Sequence, residues 1–401
     1  MSASDPVSGP DPRPFRVAVT DSDGWAAAAK ALETGLGELE PSPGRQSLGW
    51  LYVTDALAED YGSIVSYLRQ KTGVHHWIGS VGLGIAAIAP DGAGTWAAHE
   101  RFGRPAAVAM IADLPRDGFR VLPRLGRDVD EIDGGMRRWM ATATPPFGIV
   151  HGDPMNAAVP ELVEALAQEM ENAQLEVPGF LVGGLTSSMG AHYQLADEVV
   201  AGGLSGALFA PSVEVATGLS QGCLPLGPVH RVTDCMENVV MTLDGVPALN
   251  VFKDDIGELL ARDLGRVAGY IHAAFPVAGS DTGDYVVRNL MAIDPEHGWL
   301  AVGGMVETGD GVLFVRRDPA GAEADLIAMV EGLKARAPGP ARGAVYFSCV
   351  ARGPGMFGAE GRETALIREV LGDVPLVGFF GQGEISNTRL YGYTGVLTLF
   401  L

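Results

Sequence analysis

Short, almost wholly apolar stretches alternate along the chain with segments whose apolar positions recur at helical spacing. One arrangement occurs three times: an apolar strand, an amphipathic helix, then a second apolar strand ending in glycines. The first copy opens with Trp50-Leu-Tyr-Val-Thr54, places Tyr61, Ile64, Val65 and Leu68 on one helical face, and ends in Trp77-Ile-Gly-Ser-Val-Gly-Leu-Gly84. The second opens with Phe147-Gly-Ile-Val150, carries Val159, Leu162, Val163, Leu166 and Met170 on its helix, and ends in Phe180-Leu-Val-Gly-Gly-Leu-Thr-Ser187. The third opens with Ala344-Val-Tyr-Phe-Ser-Cys349, carries Leu366, Ile367, Val370 and Leu371, and ends in Pro375-Leu-Val-Gly-Phe-Phe-Gly-Gln-Gly-Glu384. Strands this apolar are buried on both faces. The expected fold is therefore α/β, mixed α+β, with layered sheets flanked by helices. The three copies should superpose, with their second strands opening on a shared crevice.

Between the second and third copies the rhythm changes. His230 to Phe252 reads as two strands around the Asp244-Gly245 turn. Trp299–Val306 and Val312–Arg316 read as another hairpin around Thr308-Gly-Asp-Gly311, followed by a helix bearing Leu326, Ile327, Val330 and Leu333. These hairpins belong to a C-terminal domain whose start is set where Gly and Pro cluster, at Cys223 to Gly227. The expected organisation is a partly disordered lead over 1–45, a domain over 46–226 and a domain over 227–401.

Composition narrows the function. Lys and Arg number 28 against 49 Asp and Glu, a net charge of −21, which repels nucleic-acid phosphates and anionic membranes. Three cysteines, Cys223, Cys235 and Cys349, are too few and too dispersed for a disulfide framework or a zinc site. Met1–Pro14 is Ser-, Pro- and Asp-rich and does not read as a signal peptide. No apolar run is long enough to span a membrane. A cytoplasmic location is the expectation.

The sequence lacks a Walker loop, H-E-x-x-H and G-x-S-x-G. Gly79-Ser80 and the glycines that follow read as a strand passing close to another backbone. His75 and His76 point to opposite faces of a strand and share no metal. His151, at a strand end in the turn sequence His151-Gly-Asp-Pro154, reads either as a structural histidine or as an exposed imidazole, and one such His suffices as an axial haem ligand. Cys349 ends a strand three residues before Arg352. It reads either as a buried small side chain or as a thiol activated by that cation. Arg352-Gly353 and Gly381-Gln-Gly383-Glu384 follow the two strands of one unit. There a guanidinium and a carboxylate could clamp an amino-acid-like zwitterion, or bridge each other.

Several of these segments resemble the FIST family. Gln221-Gly-Cys-Leu-Pro-Leu-Gly227, Val232-Thr233, Glu237-Asn-Val239 and Leu243-Asp-Gly-Val-Pro-Ala-Leu249 are similar to the junction of its FIST N and FIST C domains. Phe347-Ser-Cys-Val-Ala-Arg-Gly353 and Gly378-Phe-Phe-Gly-Gln-Gly-Glu-Ile385 are similar to the closing motifs of FIST C. Gly183-Gly184 with Thr186, and Gly202-Gly-Leu-Ser-Gly206, are similar to the later part of FIST N. The resemblance implies a sensory domain for small ligands, amino acids having been proposed. Relatives couple it to signalling modules, some bind haem and sense nitric oxide, and eukaryotic relatives carry an F-box. No output module or F-box is read before residue 46, so a separate signalling partner is expected. The candidate ligand-binding set is Gly79, Ser80, Gly183, Gly184, Thr186, Cys349, Arg352, Gly353, Gly381, Gly383 and Glu384. No catalytic or metal-binding residue and no cofactor is assigned. Three alternatives stay open: a haem-based gas sensor, an enzyme using Cys349 or a carboxylate such as Asp153 or Glu384, and a protein-interaction module.

Overall fold

A computed structural model describes residues 15–39, 42–91, 93–170, 179–267, 269–277 and 284–401. The fold is mixed α+β, and one unit of topology accounts for most of it. The first unit runs β1 (Arg16–Asp21), α1 (Trp25–Leu36), β2 (Arg45–Thr54), α2 (Tyr61–Thr72), β3 (His76–Gly82), hairpin β4 (Gly84–Pro90) and β5 (Trp96–Phe102), then β6 (Ala106–Pro115). The second runs β7 (Phe119–Leu125), α3 (Gly134–Ala143), β8 (Phe147–Gly152), α4 (Val159–Met170), β9 (Phe180–Leu185), hairpin β10 (Gln194–Ala196) and β11 (Glu198–Val200), then β12 (Leu204–Phe209).

The third unit starts with β13 (Val215–Gln221) and is then interrupted. The insert comprises β14 (Cys223–Pro225), β15 (His230–Met236), β16 (Val239–Leu243), β17 (Val246–Pro247), α5 (Ala248–Ala261), α6 (Leu264–Val267), β18 (Ile271–Pro276), β19 (Tyr285–Asp294), β20 (Trp299–Val302) and β21 (Gly311–Arg317). The unit resumes with α7 (Pro319–Arg336), β22 (Gly343–Cys349), α8 (Gly353–Phe357), α9 (Arg362–Leu371), β23 (Leu376–Gly381), hairpin β24 (Glu384–Ser386) and β25 (Arg389–Tyr391), and β26 (Thr394–Phe400).

Each unit builds a six-stranded sheet of the same order: β1-β6-β2-β3-β10-β11, β7-β12-β8-β9-β24-β25 and β13-β26-β22-β23-β4-β5. The parallel pair at each centre is the strand–helix–strand copy legible in the sequence. The outer hairpin of every sheet comes from a different unit. The first unit's hairpin completes the third sheet, the second's completes the first, and the third's completes the second. One face of each sheet is covered by its own helices. The opposite faces share a single core that includes Tyr52, Ile149, Val182, Phe347 and Phe379. Burial on both faces explains why these strands are apolar throughout instead of alternating.

The insert is a barrel. Its strands run β21-β15-β16-β20-β19-β18, and β18 pairs back onto β21 and closes the ring. Leu249 and Phe252 of α5 pack with Val232, Val240, Ile271 and Phe314 in its core.

Three expectations are corrected. The lead read over 1–45 gives way at Phe15, since Val17 and the Ala28, Ala29 and Leu32 face of α1 pack into the first unit; Met1–Pro14 lies outside the described residues. The Asp244-Gly245 turn joins β16 to the short β17, after which residues 248–252 are helical. Strands β20 and β21 form no hairpin, because barrel closure pairs β20 with β16 and β19, and β21 with β14, β15 and β18.

Candidate functional site

The repeated glycines set the geometry from which the site is built. Gly79 lies opposite Leu51, Gly183 opposite Val150 and Gly378 opposite Tyr346 in the three parallel pairs. A Cβ at these positions would lie 1.8, 1.7 and 1.7 Å from the facing carbonyl oxygen. A side chain cannot be accommodated there, so the strands approach closely in all three units for the same reason. One residue beyond each facing carbonyl come Tyr52, His151 and Phe347, and these three meet at the centre of the molecule. Tyr52 Oη lies 3.2 Å from His151 Nε2, and both rings sit edge-on to Phe347 at about 6 Å. Phe379 stacks on Tyr52.

The shared crevice expected at the strand ends is therefore a packed junction. Ser80 Oγ hydrogen-bonds Thr186 Oγ1 at 3.1 Å, Ser187 Oγ donates to Phe380 O, and the Leu185 N–H donates to Gly383 O at 2.8 Å. Ser80 and Thr186 are fully buried. Gly184 pairs with Glu384, and a Cβ on Gly381 would lie 2.6 Å from Leu185 O. Large rings on the axis and the swapped hairpins fill the space a ligand would need. His151 is likewise no turn residue: it lies fully buried within β8, and burial pushes its imidazole down to about 3.

The charged candidates form one buried network. Arg352 Nε donates to Glu363 Oε1 at 2.7 Å, and the Gly353 N–H donates to Glu363 Oε2 at 3.0 Å from a left-handed backbone conformation (φ 51°). Tyr346 and Ser348 donate to the same carboxylate. Glu363 was not legible as a partner from strand ends alone, yet it shares a helical face with Leu366, Ile367 and Val370. A carboxylate on an apolar face is the signal that could have found it. Glu384 accepts from Thr394 Oγ1 at 2.7 Å, while its Oε1 is buried with no hydrogen-bond partner among the described residues. Burial pushes Glu384 up to about 8, against the pull of the Thr394 hydrogen bonds and the Arg352 charge. The clamp expected from Arg352 and Glu384 is thus not formed. Arg352 is committed to Glu363, and both clamp residues are fully buried.

Cys349 is buried too, and its environment has counterparts. It ends β22 as Thr54 ends β2, and Asp153 directly follows β8. Thr54 Oγ1 accepts from the Ala106 N–H, Asp153 Oδ2 accepts from the Gly202 N–H, and the Cys349 sulfur is met by the Tyr393 N–H. In each unit a side chain at this position secures the loop entering the returning strand. Burial, reinforced by the Glu384 charge, pushes the Cys349 thiol up to about 12, away from the reactive thiolate.

Open space lies elsewhere. A crevice of about 490 Å³ is bounded by α4, the barrel strands β18 and β19, the segment before β21, and the hairpin β24–β25. Phe275, Val286, Met305 and Leu390 give it apolar walls; Glu161, Glu164, Asp310, Arg288 and Arg389 supply charge. Arg288 is the distinctive group. Its guanidinium donates to Val287 O at 3.1 Å and, more distantly, to Leu390 O at 3.4 Å, and no carboxylate lies within 4 Å of it among the described residues. Burial pulls its pKa down, with no compensating anion. A guanidinium held only by carbonyls keeps its fork of donors available to an anion. Sequence reasoning missed this group because the crevice walls come from three distant segments. The one local sign is a charge within the apolar run Tyr285-Val-Val-Arg-Asn-Leu290.

Comparison with known proteins gives the lineage. Residues 47–246 match the FIST N domain and residues 248–387 match the FIST C domain, and domains of this kind are described as sensory and ligand-binding. An uncharacterized protein of Mycobacterium tuberculosis (strain CDC 1551 / Oshkosh) is 34% identical over 248 residues, covering 58% of this chain and 64% of the relative. One from Mycobacterium bovis is 34% identical over 199 residues, covering 48% of this chain and 52% of the relative. The chain thus spans less than two thirds of the length of these relatives.

Proposed function

We propose, for a chain that belongs to the FIST family and carries both its FIST N and its FIST C domain, that it senses a small amino-acid-like ligand and reports to a separate signalling protein in the cytoplasm. The single observation that carries this reading is Arg288, a partly buried cation without a carboxylate partner at the crevice wall. A ligand carboxylate would take its fork, and Glu161, Glu164 or Asp310 would accept from a ligand ammonium. The side chain of the ligand would rest on Phe275, Val286 and Leu390. The hairpin β24–β25 contributes Thr388, Arg389 and Leu390 to the wall, and Glu384 stands at its root. Occupancy therefore bears on an element that also completes the second sheet.

Among the described residues no helix is long and apolar enough to cross a membrane. Binding is tested by thermal shift of the full chain against free amino acids and their amides. A ligand that binds the folded state raises Tm, and the stabilisation grows with the logarithm of its concentration over Kd. The expected result is stabilisation by an amino acid, absent with its amide and absent in Arg288→Gln, with the apo Tm of the variant almost unchanged. Stabilisation that survives Arg288→Gln, or none by any ligand in the panel, overturns the reading.

A further inference from the structure

We propose that the methionine-bearing end of the barrel is a docking surface for a basic, amphipathic helix of a separate protein. Met236 ends β15, Met291 lies at the bulge where β19 meets β20, and Met305 follows β20. Their exposures are 58%, 65% and 75%, which sets them apart from the chain's buried apolar side chains. The strap 303–306 gathers them. The Val306 N–H donates to Glu237 O at 2.9 Å, next to Met236, and the Met291 sulfur lies 3.8 Å from where a Cβ on Gly303 would stand. Unbranched, polarisable methionines re-pack around a partner at little cost, which suits a surface that forms and releases contacts.

Two features choose the occupant. Strand β20 is paired on both sides, Met236 of β15 lies opposite Val239 of β16, β19 passes from pairing with β18 to pairing with β20 at residue 290, and the strap covers the end of β15 through Cys235 Sγ to Val306 O and the Val306 N–H to Glu237 O. What the patch exposes is a cluster of flexible apolar side chains, which the apolar face of an amphipathic helix reads. The patch is flanked by exposed Asp234, Glu237 and Glu307, none of which forms an ion pair among the described residues. Together with a chain charge of −21, this complements a basic helix and disfavours an anionic bilayer. Met305 belongs to the patch and to the crevice wall alike. Coupling of docking to the ligand rests on the sensory reading above; docking itself does not.

The test is fluorescence anisotropy of the full chain with a helix-forming peptide of Leu and Lys and a matched peptide of Leu and Glu. Binding of the Leu–Lys peptide is expected to weaken at least about ten-fold in Met236→Ser/Met291→Ser/Met305→Ser, close to 1.4 kcal/mol. It should weaken several-fold in Glu237→Gln/Glu307→Gln, which leaves the methionines in place, and the Leu–Glu peptide should not bind. Circular dichroism confirms that both variants are folded, and the charge variant carries the test if the triple variant is not. Peptide binding unchanged in both variants overturns the proposal. So does a concentration-dependent dimer, seen by sedimentation and abolished by the triple substitution, which assigns the patch to a second copy of the chain. Because the thermal-shift test uses Arg288 and free amino acids, either reading can fail alone.

Discussion

The second and third units share strand order, register and swapped hairpin, yet their buried chemistry differs. At the position where each outer hairpin joins its neighbour's sheet, the second unit has Gln194 and the third has Glu384. Gln194 is neutral and satisfied, donating to Gly203 O and accepting from Ser205 Oγ. Glu384 is ionisable and half-satisfied, and it lies close enough to Arg352, Glu363 and Cys349 to feel their charge. The first unit has Ile85 there. The backbone thus depends on glycines that let strands approach and tolerates any side chain that fits the axis. At this hairpin position only the unit that carries the barrel has an ionisable side chain.

If the glycine register is what the units hold in common, Gly79→Ala, Gly183→Ala and Gly378→Ala should be similarly damaging. Each new Cβ would strike a backbone carbonyl, and a loss above ~4 kcal/mol is expected, read as failure to give a cooperative urea transition. One tolerated substitution would break the equivalence. The next effect belongs to the third unit alone. Glu363→Gln should cost ~3–5 kcal/mol by leaving Arg352 buried without its counter-charge, measured as the shift in urea midpoint. A cost below about 1 kcal/mol would show that the ion pair is solvated.

The pH dependence separates the units further. Glu384 near 8 and Glu100 near 7 both lie above the unfolded value of about 4.3, because burial favours their neutral forms. Between those limits the folded chain binds more protons than the unfolded one, so stability is greatest below about pH 4.5 as far as these groups are concerned. It falls as pH rises towards 8. Glu384→Gln, which gives the third unit the residue of the second, should remove a decline on the order of a few kcal/mol between pH 5 and pH 8. An unchanged slope in urea titrations at the two pH values would reject the assignment. Smallest is Cys349→Thr, which imports the first unit's Thr54. It should change stability by no more than ~1 kcal/mol, and unmodified Cys349 should react with iodoacetamide far more slowly than free cysteine at pH 7.5.

The units were legible because strand and helix periods and their closing glycines lie within short windows. Which strands pair was not: a hairpin following β3 reads the same whether it stays in its own sheet or crosses to another, since both choices bury the same face. Barrel closure escaped for a like reason, the ladder of β18 onto β21 being long-range. Of the candidate site, the sequence marked Arg352, Glu384 and Cys349 as neighbours and allowed burial for Cys349, but it set Arg352 and Glu384 at an open crevice. The opening at Arg288 depends on α4, β19 and β25 meeting, which no local pattern records. Glu363 stood on an apolar helical face and was the one partner within reach.

The exchange of hairpins has a consequence for how the protein can be divided. Every sheet is finished by chain from another unit, in a closed cycle, so no unit holds all of its own strands. The border between the two family matches, at residues 246 and 248, falls inside the barrel and separates β13 from β26, its neighbour in the third sheet. Expressed apart, the two pieces would each leave central strands such as β9 and β23 with a bare edge, a template for aggregation. The two domain names therefore mark stretches of inheritance, while the cooperative folding unit is the whole ring.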